Sequence, residues 1–121
     1  MFAGYLGPNN PLSDGDKPLA SLLDVSGTLY GETYQGGGYD LGMVYSFDLS
    51  NTLYTRMHSF SGFNANNPGA SDGSSPYATL VEDSNGPLFG TTAAGGGYAN
   101  GLVYSITNTG STINYLYSFS Y

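Results

Sequence analysis

The chain repeats itself. Sliding the sequence by 58 residues aligns FAGYLGPNNPLSDGDKP, Phe2 to Pro18, with FSGFNANNPGASDGSSP, Phe60 to Pro76. The match continues as PLASLLDVSGTLYGETYQGGGYDLGMVYSFDL against PYATLVEDSNGPLFGTTAAGGGYANGLVYSIT, with one inserted residue at Ser84-Asn85 that moves the offset to 59. It still holds where His58 to Ser61 meets Tyr117 to Ser120. Over residues 2–59, 23 of 58 positions are identical. A biased composition does not keep one register for that long. The chain therefore reads as two copies of one supersecondary unit, residues 1–59 and 60–121, and such units bury their apolar faces by stacking on their neighbours.

Each copy reads as four short strands. The first is expected from about Leu19 to Val25, closed by a turn at Ser26-Gly27, and the second from Thr28 to Thr33. The loop Gly36 to Gly42 is too rich in glycine for a strand interior. Met43 to Leu49 and Thr52 to Phe60 supply the third and fourth strands around a turn at Ser50-Asn51. The second copy repeats the pattern, with turns at Ser84-Asn85-Gly86 and Asn108-Thr109-Gly110, and a polar segment from Ser61 to Ser75 joins the two. Twelve tyrosines and many Thr, Val, Ile and Phe suit pleated, half-buried surfaces, and no window sustains helical spacing. The expected fold is all-β: two four-stranded antiparallel, blade-like repeats of β-propeller type. Two blades cannot close a ring that takes about four to eight, so stacking with other copies is expected to complete them.

Composition narrows the function. With two basic residues, Lys17 and Arg56, against nine carboxylates, the net charge of −7 argues against nucleic acid and anionic lipid as partners. No apolar run is long enough for membrane insertion as a helix. Without cysteine there is no disulfide or thiolate metal site. The opening residues lack the basic and apolar regions of a signal peptide, so a cytosolic chain and a mature or excised fragment both remain open.

The order Pro76-Tyr77-Ala78-x-Leu80, Asp83-Ser84-Asn85-Gly86-x-Leu88-Phe89-Gly90-Thr91-Thr92, Gly95-Gly96-Gly97, Gly101-x-Val103-Tyr104 and Tyr117-Ser118-Phe119-Ser120 resembles the GloVer repeat of Gloeobacter and Verrucomicrobia. The resemblance covers essentially the whole chain. It implies a propeller-like, exported protein, extracellular or at the cell surface, with no enzymatic activity and no catalytic residues. Two departures stand out: only two copies are present, and the first has Gly31-Glu32-Thr33 where the second has Gly90-Thr91-Thr92.

Phe2, Phe60 and Phe119 occupy one repeat position, so the two termini are in phase. Copies are expected to associate head to tail as a filament or a closed ring, through Phe2, Tyr5, Tyr117, Phe119 and Tyr121. The other reading is a fragment of a longer tandem array. The retained Gly-Gly-Gly-Tyr loops offer carbohydrate binding as the alternative function, with Tyr39 and Asp40 in one copy and Tyr98 and Asn100 in the other. The competing role for these tyrosines is packing between neighbouring blades.

Breaks in the repeat's symmetry are where catalysis would show. Glu32 stands against Thr91, Asp40 against Ala99, Asp48 against Thr107, Arg56 against Tyr115 and His58 against Tyr117. Glu32 and Asp40 flank one loop and form the acid/base pair of a third, glycoside-acting reading, against which both read as solvated loop carboxylates. A single histidine cannot build a repeated metal site. No cofactor is required. Calcium is the one candidate, at Asp14, Asp16 and Asp72, but Ser-Asp-Gly is equally a turn signature.

Overall fold

The computed structural model describes residues 6–7, 14–67, 71–108 and 112–120. The described residues contain strands and turns and no helix. In the first repeat the strands are β1 (Gly15–Asp16), β2 (Leu23–Val25), β3 (Thr28–Thr33), β4 (Gln35–Gly36), β5 (Met43–Asp48) and β6 (Leu53–Ser59). In the second they are β7 (Gly73–Pro76), β8 (Val81–Glu82), β9 (Leu88–Gly95), β10 (Leu102–Ile106) and β11 (Ile113–Ser118). Sheet 1 is the antiparallel meander β2-β3-β5-β6, and sheet 2 reproduces it as β8-β9-β10-β11 with β7 added along β9.

The first strand of each repeat is shorter than its apolar pattern predicts. Lys17 and Ser75 take φ of 56° and 54° just before prolines, so the chain turns there and reaches the sheet edge only at Leu23 or Val81. The segments expected as turn and linker instead carry β1 and β7. Each lies antiparallel along the start of the glycine-rich loop, pairing Gly15 with Gly36 and Gly73 with Gly95. The backbone carbonyls of Asp14 and Asp72 accept hydrogen bonds from the amides of Gly37 and Gly96, both at 2.7 Å.

That approach is why glycine is required at the bend. Gly95 sits at φ +75°, and a methyl group there would lie 2.5 Å from the Asp72 carbonyl oxygen. Gly95→Ala is expected to destabilise the fold by at least about 1–3 kcal/mol, the range for a non-glycine residue forced into this region. Urea denaturation of the variant checks it, and unchanged stability would mean that the bend does not clamp β7.

Strand alternation gives each sheet two faces. Tyr30, Glu32, Val44, Ser46 and His58 share the forward face of sheet 1 through the pairs Tyr30↔Ser46, Glu32↔Val44 and Val44↔His58. Gly31, Tyr45, Phe47, Tyr54 and Arg56 share its rear face. Both sheets carry a bulge at the same repeat position, leaving Met57 and Leu116 as the extra residues of β6 and β11. The forward face of sheet 1 packs on the rear face of sheet 2. Tyr30, Val44 and Met57 from the first repeat join Phe60, just past the end of β6, and Leu80, Leu88, Leu102, Tyr104 and Ile106 from the second in one buried cluster.

Candidate functional site at the junction between the sheets

Two of the symmetry-breaking residues, Glu32 and His58, meet at this junction. Glu32 leaves β3 beside Tyr30 and enters the apolar cluster, where it is only 2% exposed. The sequence reading of a solvated loop carboxylate is therefore corrected: Glu32 is two residues along a strand from an inward tyrosine and shares its face. The Tyr104 hydroxyl, crossing from β10, donates a hydrogen bond to Glu32 Oε1. Glu32 Oε2 is buried without a hydrogen-bond partner. Burial pushes the Glu32 carboxyl up to about 8, with the Tyr104 hydrogen bond opposing it in part. Burial and then the Glu32 charge raise the Tyr104 phenol well above its ordinary value. Tyr104 lies across Gly90, its cross-strand partner, where any side chain would meet the ring oxygen and Glu32.

A second polar tie runs alongside. His58 Nε2 lies 2.8 Å from Asp72 Oδ2, an ion pair when the imidazole is protonated. The same oxygen accepts from the Ser61 amide at 3.0 Å, while Asp72 Oδ1 accepts from the Gly73 amide at 2.7 Å. Burial pushes the Asp72 carboxyl up, but the His58 contact and the two amides outweigh it and hold it below the ordinary value. Burial first, then Asp72, raises the Tyr115 phenol. A third tie is the Tyr30 hydroxyl donating to the Asn108 carbonyl at 2.9 Å. The His58 ring packs edge-on against Phe60 at 4.9 Å, and Phe60 against Tyr104 at 5.3 Å.

The other candidates lie elsewhere. Asp14 is engaged by the Gly15 amide at 2.8 Å and by the Tyr54 hydroxyl, and Asp16 by the Lys17 amide at 2.8 Å. Among the described residues no group of three or more His, Cys, Asp or Glu is placed to hold a metal ion. Asp40 accepts from the Gly36 amide at 3.0 Å and so braces its own loop, and Asn100 bridges to Gly95. Asp40 is exposed while Glu32 is sealed. Tyr39 and Tyr98 are exposed at the tips of matching loops, rather than packed between the sheets of this chain. Tyr117 and Phe119 are exposed and stack edge-on at 5.3 Å. Phe2, Tyr5 and Tyr121 lie outside the described residues.

The model of the Gloeobacter/Verrucomicrobia repeat matches residues 9–121. The chain belongs to that repeat family. It matches no curated protein and no solved structure. Within the Gloeobacter/Verrucomicrobia repeat as this chain carries it, the Gly-Gly-Gly loop and the Asp-Gly strand form the clamp of each unit. Glu32 and His58, which differ from their counterparts Thr91 and Tyr117, supply polar ties between the units, beside residues such as Val44, Phe60 and Tyr104 that both copies share. Sequence reasoning missed Leu80 and Leu22, one repeat position that is buried in the second copy and exposed in the first. The signal available was their shared register against Gly90 and Gly31.

Proposed function

We propose that this chain is a non-enzymatic, cofactor-free structural module that acts outside the cell by stacking with copies of itself. Its sheets continue a propeller-like series head to tail, as a closed ring or an open filament. The observation that carries this reading is the fate of equivalent positions. Met57 and Phe60 are 7% and 0% exposed where sheet 1 meets sheet 2, whereas their counterparts Leu116 and Phe119 on the forward side of sheet 2 are 52% and 45% exposed. On the rear side one position shows the reverse contrast, with Leu80 buried and Leu22 half open, while Tyr45 and Tyr104 are buried in both copies. Two unlike, mutually complementary ends generate a heterologous contact. The extracellular placement rests on the family resemblance alone.

Tyr39 and Tyr98 favour one second reading, carbohydrate binding. Each loop is fixed by the same bonds: Gly42 or Gly101 amide to Gly36 or Gly95 carbonyl, and Gly38 or Gly97 amide to Ser59 or Ser118 hydroxyl. The exposed rings are thus held on rigid tips, at low entropic expense for stacking on a sugar face. Light scattering coupled to size exclusion tests the first reading, and species larger than one chain are the expected result. A monomer at all concentrations that is retained on a glycan matrix would replace stacking with the second reading.

A further inference from the structure

We propose that β11 is a docking edge for a second copy of the chain. Two β11 strands pair antiparallel about a two-fold axis at Asn114, with Ile113 of each opposite Tyr115 of the other. This contact is independent of stacking, since it uses the hydrogen-bonding edge of sheet 2 and neither of its faces.

The edge is open and regular. β11 ends the strand order of sheet 2, and among the described residues no strand pairs with its outer side. The Thr107 amide donates to the Thr112 carbonyl at 3.1 Å, so Thr112 turns its backbone groups toward β10. Asn114, two residues on and opposite Ser105, does the same. Ile113 and Tyr115 alternate with them and direct their amides and carbonyls outward. Both precede the bulge at Leu116, so the spacing of these groups is undisturbed. Asn114, Tyr115 and Leu116 are exposed. A hydrogen bond between the Tyr115 and Asp72 side chains holds the strand in place without using its outer backbone groups.

The sequence of the strand suits a copy of itself. INYLYS carries no charge in a chain whose net charge of −7 otherwise sets copies against each other. Native sheets keep their edges apart with charged side chains and proline. The equivalent edge strand β6 follows that rule, with Arg56 at the position of Tyr115 and His58 at that of Tyr117. β11 has exchanged both for tyrosine. In the two-fold register, each Ile113 meets a Tyr115, an aliphatic-aromatic cross-strand pair, and Asn114 meets Asn114. One pairing satisfies the outward amides and carbonyls of Ile113 and Tyr115 in both copies at once. The result continues the β10-β11 ladder from one chain into the next.

Cross-linking tests the register, because the chain has no cysteine of its own. Asn114 faces itself across the axis as a non-hydrogen-bonded pair, with Cα atoms about 4.5 Å apart, a separation that a disulfide spans. Asn114→Cys is therefore expected to form a covalent dimer under mild oxidation, read on a non-reducing gel. Thr112→Cys, equally exposed, lies opposite Leu116 of the other copy and is expected to stay unlinked. Charge gives a second readout at the same exposed position. Asn114→Lys or Asn114→Asp alone should weaken dimerisation in sedimentation by up to about fivefold, and an equimolar mixture of the two should recover it. If Asn114→Cys stays unlinked, if Thr112→Cys links as readily, or if the mixture associates no better than either variant, the edge pairing is wrong. Species larger than one chain that leave Asn114→Cys unlinked would overturn the edge pairing while keeping the stacking reading.

Discussion

Melting temperature is expected to fall as the pH rises from about 5 to about 8, and Glu32→Gln is expected to remove most of that fall. Glu32 is held at about 8 in the folded chain against 4.5 for a free glutamate. Between those values the native state binds a proton that the unfolded state has released, so stability declines with rising pH. Below the lower value both states are protonated and the contribution is complete; above the upper one it is gone. One proton corresponds to about 1.4 kcal/mol per pH unit, so the full window amounts to a few kcal/mol, a large share of a small domain's stability. Glutamine keeps an acceptor for the Tyr104 hydroxyl and places its amide where Oε2 already lacks a partner. The variant should therefore match the parent near pH 5 and exceed it by a few kcal/mol above pH 8. Asp72 works in the opposite sense: its depressed carboxyl lends stability above the ordinary aspartate range, which is lost as pH falls through its folded value. Urea titrations at a series of pH values separate the two. A parent curve that is flat or rising from pH 5 to 8 would mean that Glu32 is not sealed in the junction.

The second large effect is expected from one substitution made at two equivalent positions. Phe60→Ala should destabilise the chain by about 3–5 kcal/mol, because it removes a fully buried ring from between the sheets. The loss includes edge-on contacts with both His58 and Tyr104, so the polar ties on either side lose their packing as well. Phe119→Ala deletes the same ring from a half-open site where its only aromatic neighbour among the described residues is Tyr117. Its effect on unfolding of the single chain should stay within about 1 kcal/mol. If stacking occurs, the order reverses in an assembly assay, where Phe119→Ala should weaken association as strongly as Phe60→Ala weakens the fold. Equal unfolding penalties for the two variants would mean that the exposed and buried copies are not different environments.

Much of this architecture is legible in the sequence. The strand cores Thr28–Thr33 and Met43–Asp48 follow from β-branched and aromatic residues bounded by glycine turns. Register between the repeats pairs each residue of one copy with its equivalent in the other. What stayed hidden depends on the partner surface. Glu32 alternates correctly with Tyr30, but a carboxylate at that position reads as solvated until the apolar rear face of sheet 2 is known to cover it. Asp72 reads as a turn residue, which its Gly73 bond makes it, while its second oxygen reaches His58 fourteen residues earlier. Strands β1 and β7 were illegible because glycine, serine and proline give no period; their pairing comes from the positive-φ bend opposite them.

The meander order of the two sheets has a consequence for synthesis. Every strand of sheet 1 pairs with one adjacent to it in the β2-β3-β5-β6 order, so this sheet needs nothing from the chain beyond Ser59 to form its ladder. A nascent chain can therefore assemble it while the second repeat is still being made, from contacts that are local and fast to form. During that interval Glu32 faces water and is ionised at neutral pH. Arrival of Tyr104 and its sheet is then expected to seal the carboxyl, which takes up a proton at neutral pH as it is buried.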